Sequence, residues 1–573
     1  MDVANVGRNS FFQGMYKGIK NAIKAKTQDF ILKGVVRTLP RNQDVLNFSS
    51  EVRTSYMQQL FNTPIRTLEN PFSQVDLSNI LQKYKQEDAI SVLKSFIALS
   101  NDMVENPDNE FNYKKIFDNK EVQKLICELL DTDSVIVGKF AQIVSDNKQI
   151  MSILQPQMQQ KIREKLSHNA ATYSNEEVVD IAKQLLIREN TYDENCDVQV
   201  KKLNAGTVGE AWIVTISKNT YEVPKNYVLK LIKKGITKEK IEKEKNFIVN
   251  LLGGENLPAT KEYVDMLENL TKNWIAELDL TQEVKNNKEL AQGCKYFKVA
   301  TAFSATFDGQ AIVEDFASGI PAEKIIGIVE DYFYNYKNDI DGFREKYENE
   351  IKTMPELKNP QKFSATMVEN LTYALVDMMI YLKNDKNVLH GDPHGGNFFI
   401  EPKTLLPIFI DTGNCIERNY DEALNDLKFF IAYFVGDTQK MAEYYANMCN
   451  IQDEFTINRL NLKIKEKIFY KGNNITNFTD VLTAINQIAK DENFIVPPEK
   501  TTALKAQAQL TNIIHKFEII SGKKSFSSVL KCLPEVLKRK NFRYNDIKDI
   551  IKGIFSQMNS NPELSCQTAF QFI

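Results

Sequence analysis

The stretch His390-Gly391-Asp392-Pro393-His394-Gly395-Gly396-Asn397 puts an acid and, five residues later, an amide on one polar segment. It closes an apolar helical run through Val388-Leu389 and leads into Phe398-Phe399-Ile400, which reads as a short strand. Nineteen residues past Asp392, the apolar run Leu406-Pro407-Ile408-Phe409-Ile410 delivers a second acid in Asp411-Thr412-Gly413. Phosphoryl transfer from a nucleotide asks for such a set. One carboxylate faces the nucleophile, while an Asn and a second carboxylate hold the metal on the phosphates. Asp392 is therefore the candidate base or water-positioning group, and Asn397 and Asp411 are the candidate metal ligands. A plain polar turn between strands would not require His, Asp, Asn and Asp at these offsets together.

Such a site also needs a cation on the nucleotide phosphates, placed by a strand. Tyr227-Val228-Leu229-Lys230-Leu231-Ile232 supplies one, because Lys230 interrupts an apolar strand at a cost unless its ammonium is paired or reaches solvent. Its partner should be a carboxylate on a helix. Upstream, Ala205-Gly206-Thr207-Val208-Gly209 joins two strands where a phosphate-covering loop would lie, and small residues let backbone approach a ligand.

The elements around these residues follow from periodicity. Residues 40–187 are helical in pattern, broken by turns such as Asn106-Pro107-Asp108-Asn109. Strands are predicted at Val198–Leu203, Ala211–Ile216, Tyr227–Ile232, Lys295–Ala302 and Gln310–Phe316, with helical spacing over 236–290. Outside the strands around 398–410, the remainder reads as helical. The class is α+β, in the order of a two-lobed kinase-like fold with a helical N-terminal extension and additional C-terminal helices. Val313 to Phe316 falls where an inter-lobe hinge would contact adenine, through the backbone of Glu314 and Phe316.

Composition narrows the field. The chain has 573 residues, enough for several units, with 43% hydrophobic and 26% charged residues and a net charge of −3. That balance argues against a surface built for nucleic acid. Seven scattered Cys without a C-x-x-C pair argue against a structural zinc site and for a reducing compartment. Cys415, close to Asp411, reads as an inert thiol. No apolar run approaches a membrane span, and no secretory signal is visible, so the expectation is an intracellular protein, cytoplasmic or peripheral to a membrane. Residues 11–36 form a basic amphipathic stretch that would either lie on an anionic membrane surface or dock on the protein itself.

These residues resemble a specific family, the UbiB/AarF-type atypical kinases tied to coenzyme Q and other isoprenoid-lipid metabolism. The family signature is similar to H-A-D-P-H-P-G-N, and the chain reads H-G-D-P-H-G-G-N over His390–Asn397. Its strand Lys is matched by Lys230, followed here by Lys233-Lys234-Gly235. Its E-x-D element with a further Glu is matched by Glu277-Leu278-Asp279 and Glu283. Its K-x-G-Q element resembles Lys139-Phe140-Ala141-Gln142, with Ala for Gly. The resemblance covers about residues 130–440. It implies that Glu283 is the carboxylate paired with Lys230, that Lys139 pairs with Glu277, and that Gln142 lies near the phosphates. Two departures stand out. The metal-binding D-F-G is Asp411-Thr412-Gly413, and the Ala-rich phosphate loop of the family becomes A-G-T-V-G-E. His394, where ordinary kinases place a Lys, either shuttles a proton or shapes the loop.

The resemblance implies a kinase-like ATPase or phosphotransferase that uses ATP or ADP with Mg²⁺ or Mn²⁺. It is linked to isoprenoid lipid, and its partners would be nucleotide and a lipid or membrane surface. Small-molecule kinases of the aminoglycoside/choline phosphotransferase type share the H-G-D pattern, and a pseudokinase scaffold is the non-catalytic alternative. The expected organisation is a helical region over 1–125, the extension with K-x-A-Q over 126–196, an N-lobe over 197–316, a C-lobe core over 317–440 and C-terminal helices over 441–573.

Overall fold

The computed structural model describes residues 77–100, 119–146, 151, 154–167, 173–188, 196–217, 224–252, 258–292, 294–306, 308–380, 386–469, 478–492, 494, 496–525, 527–529, 531–533, 543, 546, 548, 550 and 552. The basic amphipathic stretch 11–36 and the turn at 106–109 lie outside the described residues. The described residues fall into two compact units, one drawn from 77–281 and 304–313, the other from 282–303 and 314–552.

The first unit opens with helices α1 (Leu77–Leu81), α2 (Gln86–Ser100), α3 (Lys120–Leu130), α4 (Val135–Asp146), α5 (Pro156–Ser167) and α6 (Asn175–Arg188). In α3 the reasons are local. Asn119 accepts a hydrogen bond from the Glu121 N–H as N-cap, and Val122, Leu125, Ile126, Leu129 and Leu130 form one buried face at helical spacing. Strands β1 (Asp197–Ala205), β2 (Gly209–Ser217) and β3 (Lys225–Ile232) then run antiparallel. Along β2, Glu210, Trp212, Val214 and Ile216 are buried and the residues between them half-buried, the period of two of a strand packed on one face. The chain continues through α7 (Lys238–Leu251), α8 (Pro258–Ala276), α9 (Leu280–Ala291) and β4 (Lys298–Val299), of which residues from 282 on belong to the second unit, then β5 (Ala302–Ala305) and β6 (Ala311–Asp315). The five-stranded sheet has the order β1-β2-β3-β6-β5.

One core binds the helical extension to this sheet. Leu93, Leu129 and Phe140 join Ile241, Ile248 and Leu267 of α7 and α8, together with Val208 and Ile232 from the strand ends. Phe140 stacks on Phe96 at 5.4 Å and meets Trp274 edge-on at 5.7 Å. The N-terminus of α4 is capped from α7. Buried Glu244 accepts from Ser134 Oγ (2.8 Å) and from the N–H groups of Val135 (3.3 Å) and Ile136 (3.1 Å). Burial raises the Glu244 pKa above the ordinary carboxylate value, against the pull of those bonds.

The second unit adds β7 (Ile320–Pro321), α10 (Ala322–Asp331), α11 (Ile340–Lys346), α12 (Glu348–Thr353), α13 (Pro360–Ile380), β8 (Lys386–His390), β9 (Phe398–Ile400), β10 (Pro407–Phe409) and β11 (Cys415–Asn419). It ends with helices α14 (Tyr420–Val435), α15 (Thr438–Met448), α16 (Glu454–Phe469), α17 (Phe478–Asp491) and α18 (Pro498–Ser521). Its sheets have the orders β4-β10-β9-β7 and β11-β8. α14 carries a start and a stop signal in sequence, an Asn419/Glu422 capping box at its N-terminus and Gly436 at its C-terminus with φ 71°. No helix among the described residues is long and apolar enough to cross a membrane.

Three expectations need correction here. The apolar helical run does not reach His390, since residues 386–390 form a strand paired with Cys415–Asn419. A five-residue segment carries too little periodicity to separate strand from helix. The region after 317 is also not wholly helical outside 398–410, since β7, β8 and β11 interrupt it. The strand expected over Lys295–Ala302 is divided. Lys298–Val299 pairs with β10, and Ala302–Ala305 joins the five-stranded sheet.

β11 is held by a buried cation. Arg418 donates to Asp426 of α14, to Asn387 Oδ1 of β8 (2.9 Å from Nε) and to the Met379 carbonyl of α13 (2.8 Å). Both members of the Arg418–Asp426 pair are 2% exposed, so neither charge has water to fall back on. Arg418→Ala is expected to lower stability by about 3–5 kcal/mol, because it strands the Asp426 carboxylate in the core. Urea unfolding followed by circular dichroism checks this.

Candidate functional site

In the second unit β8 ends at His390 and passes into a loop closed by its own polar groups. His390 is fully buried. Its Nε2 lies 3.0 Å from the Ile410 carbonyl, and its Nδ1 lies 3.2 Å from the Asp392 N–H. The first contact requires a donor and the second an acceptor, so the ring is neutral with its proton on Nε2. Burial lowers its pKa in the same direction. Asn397 Nδ2 and the His394 N–H both donate to the Asp392 carbonyl (3.0 and 2.9 Å). The Asn397 N–H donates to His394 O (2.8 Å), and the Ile410 N–H donates to Asn397 O (2.9 Å).

This closure assigns atoms. Asn397 uses its amide nitrogen inside the loop, which leaves Oδ1 as the atom it can offer a cation. Asp411 follows directly after the Ile410 amide, so Asn397 and Asp411 stand on hydrogen-bonded segments. Asp411 is exposed and has φ 56°, a left-handed conformation that residues with a side chain seldom adopt. Oxygen donors of this kind, one amide and one carboxylate, fit a Mg²⁺ or Mn²⁺ ion that takes its remaining ligands from phosphates and water. Asp392 is half-buried, with Oδ2 at 3.7 Å from His394 Nε2 and Oδ1 at 2.6 Å from Gln509 Nε2.

Thr412, the departure from D-F-G, is buried and binds α9. Its N–H donates to Glu283 Oε1 (3.1 Å) and its Oγ1 to the Glu283 carbonyl (3.2 Å). Asn286 Nδ2 donates to the carbonyls of Thr412 (3.0 Å) and Gly413 (3.2 Å). Glu283 is thus a buried carboxylate oriented by the segment that carries Asp411. Cys415 is half-buried beside Glu283 and Asp411. Burial first and these carboxylates second raise its thiol pKa, which leaves a protonated, unreactive group.

The first unit gathers the second set. The Gly206 N–H donates to Gly209 O (2.8 Å) and closes the loop after Ala205. Val208 is buried, and its carbonyl accepts the Lys233 N–H (2.9 Å). Thr207 Oγ1 donates to Gln142 Oε1 at 3.4 Å, and a Cβ added to Gly138 would sit 2.7 Å from the Thr207 methyl. Backbone of α4 therefore lies against the loop because residue 138 has no side chain. Lys139, buried, donates to the exposed carboxylate of Glu277 and makes an ion pair. Asp279 Oδ1 accepts from the Thr281 N–H (3.0 Å) and caps α9. Lys230 is half-buried on β3, opposite Ala211 of β2.

The sequence-predicted residues therefore fall into two groups. Ala205, Gly206, Thr207, Val208, Gly209, Lys139, Gln142, Glu277 and Lys230 belong to the first unit. Glu283, Asp392, Asn397, Asp411, Glu314 and Phe316 belong to the second. Glu314 is buried at the end of β6, and Phe316 is exposed just beyond it. Sequence reasoning gave no separate role to the His390 ring, Thr412, Asn286, Gly138 or Gln509. Of these, only Gly138 carried a local signal, as the glycine directly before Lys139.

Residues 165–445 match the ABC1 atypical kinase-like domain. No curated protein matches the chain. Similar solved structures include the Rv3197–erythromycin complex from Mycobacterium tuberculosis, at 14% identity and TM-score 0.36, covering 73% of this chain and 96% of that one. Another is choline kinase from Cryptosporidium parvum Iowa II, at 10% identity and TM-score 0.18, covering 70% of this chain and 98% of that one. The domain match spans just under half of the chain, whose described residues mix helices and sheets.

Lys233, whose N–H donates to Val208 O, has a pKa pushed down to about 8 by burial, with Lys202 and Lys165 adding repulsion against the pull of Glu210. Between pH 8 and pH 10.5 the unfolded chain keeps a proton at this position that the folded chain has shed. Stability should therefore gain a contribution on the order of 3 kcal/mol as pH rises through that window. Lys233→Met should lack that rise, and denaturant midpoints of the two proteins at pH 7.5 and pH 10 check the sign (roughly the edges of the window).

Proposed function

We propose, for a chain that belongs to the ABC1 atypical kinase-like family, that it is a nucleotide-dependent phosphotransferase or ATPase acting with Mg²⁺ or Mn²⁺. The observation that carries this reading is the closed loop from His390 to Asn397, which presents Asp392 and leaves Asn397 Oδ1 beside the Asp411 segment. Asp392 accepts the proton of the attacking hydroxyl or water, or orients that nucleophile. The terminal phosphoryl group then passes to the nucleophile, and the bond to the nucleoside diphosphate breaks. Asn397 and Asp411 would hold a Mg²⁺ or Mn²⁺ ion, which when bound would neutralise phosphate charge. By the family resemblance, Lys230 takes the role of the cation for the α- and β-phosphates and Glu283 that of an orienting carboxylate. Val313 to Phe316 offers backbone groups to adenine.

The extension gives the reading its family character. Lys139 and Glu277 form the pair that the K-x-A-Q and E-x-D elements imply, and Gln142 touches the phosphate loop at Thr207. On that basis we place the acceptor or activator among isoprenoid lipids or at a lipid surface, with coenzyme Q metabolism as the specific link.

The test is ATP turnover by the full chain with Mg²⁺, with and without anionic liposomes. Turnover should rise with lipid and fall by about 100-fold or more in Asp392→Asn, the scale of losing a general base. Equal turnover in Asp392→Asn would refute the site. Fast turnover of soluble hydroxylated metabolites without lipid would move the substrate to the small-molecule kinase class.

A further inference from the structure

We infer that Gln509, on α18 and outside residues 165–445, is a positioning residue for Asp392. The inference rests on the proposed role of Asp392 and extends the site to the C-terminal helices. Gln509 Nε2 donates to Asp392 Oδ1 at 2.6 Å. The reverse amide orientation would set two oxygens against each other at that distance, so the donor assignment is forced. A hydrogen bond to a carboxylate is the stronger kind and fixes the rotation of the group. The remaining oxygen, Oδ2, lies toward His394.

The backbone and the carboxylate of Asp392 are therefore held from different places. His390 and Asn397 fix its N–H and carbonyl from within the loop, and Gln509 fixes one carboxylate oxygen from a helix more than a hundred residues away. With Oδ1 taken, Oδ2 is the atom that receives the proton of the nucleophile. Gln509 neither gains nor loses a proton in that step. Its own Oε1 is buried and accepts no hydrogen bond among the described residues.

α18 is placed firmly enough to serve this purpose. Lys500 pairs with Glu422 of α14 at 2.6 Å, Lys516 pairs with Glu330 of α10 at 3.0 Å, and Phe517 meets Phe363 of α13 at 6.4 Å. The α10 end of this arrangement touches the loop itself, since the Glu323 N–H donates to Gly395 O at 3.0 Å. A residue so anchored can set the direction of a carboxylate, where a loop side chain would follow it.

The test is steady-state ATP turnover of the full chain for wild type, Gln509→Leu, Asp392→Asn and the double variant, with thermal unfolding alongside. Gln509→Leu should lower kcat by about 10- to 100-fold, the scale of misorienting a reacting group, with KM for MgATP and the unfolding temperature little changed. The double variant should be no slower than Asp392→Asn alone. If Gln509→Leu does not fold, Gln509→Asn carries the same test, because its shorter chain cannot reach Oδ1. Wild-type kcat in the folded variant, beside an inactive Asp392→Asn, would overturn the role of Gln509 and leave the site reading intact. A higher kcat would overturn it too, making α18 a brake. Undiminished turnover in Asp392→Asn would refute the site reading and this inference with it.

Discussion

A buried, neutral imidazole holds the acid-bearing side of this protein together. His390 receives the Asp392 N–H on one nitrogen and donates to the Ile410 carbonyl with the other. It thereby joins the loop that carries Asp392 and Asn397 to the segment that carries Asp411. The arrangement works only while the ring is uncharged, because a protonated Nδ1 could not accept the amide. Complete burial secures that state, and burial here requires both β8 and β10 to be in place. Phe409 and Phe398 surround the ring region, with His390 and Phe409 centroids 5.5 Å apart. Packing in the second unit is thus converted into the geometry of three oxygen-bearing side chains.

The second constraint is the seating of α9 on the Asp411 segment. An ordinary D-F-G would leave this to an aromatic side chain. Thr412 instead uses its amide and hydroxyl on Glu283, and Asn286 returns two bonds to the following carbonyls. A polar clamp is more directional than a packed ring, since each bond weakens steeply off axis. It fixes the Glu283 carboxylate and the left-handed Asp411 together, and it makes the departure from the family pattern a substitution of one restraint for another. In the first unit the equivalent discipline is apolar. The extension helices share a core with Val208 and Ile232 of the sheet, and Glu244 caps α4, whose Gly138 and Gln142 meet the loop at Thr207.

What the sequence disclosed depended on how local the physics was. Asp392, Asn397 and Asp411 could be read because their offsets are set by one loop and one hairpin. β1, β2 and β3 could be read because alternation and turn residues are local signals. The Lys139–Glu277 pair spans two distant segments, and only the resemblance to a family pointed to it. Thr412 on Glu283, Glu244 on α4 and Gln509 on Asp392 were not legible, because each is a polar contact between remote segments with no periodic trace. The β8 strand was misread for a related reason. Its pairing partner Cys415–Asn419 is short and largely polar, so the strand exists through a long-range ladder more than through its own pattern.

The central claim is that the loop of Asp392 and the segment of Asp411 form a metal-dependent nucleotide site. Calorimetric titration of ATP into the full chain, with Mg²⁺ and then with the metal chelated, tests it most directly when run beside Asp411→Asn. The account predicts that chelation and the substitution each weaken binding by at least about tenfold, roughly 1.4 kcal/mol. Equal affinity in all three conditions would contradict it, because Asp411 would then have no part in holding a metal on the nucleotide.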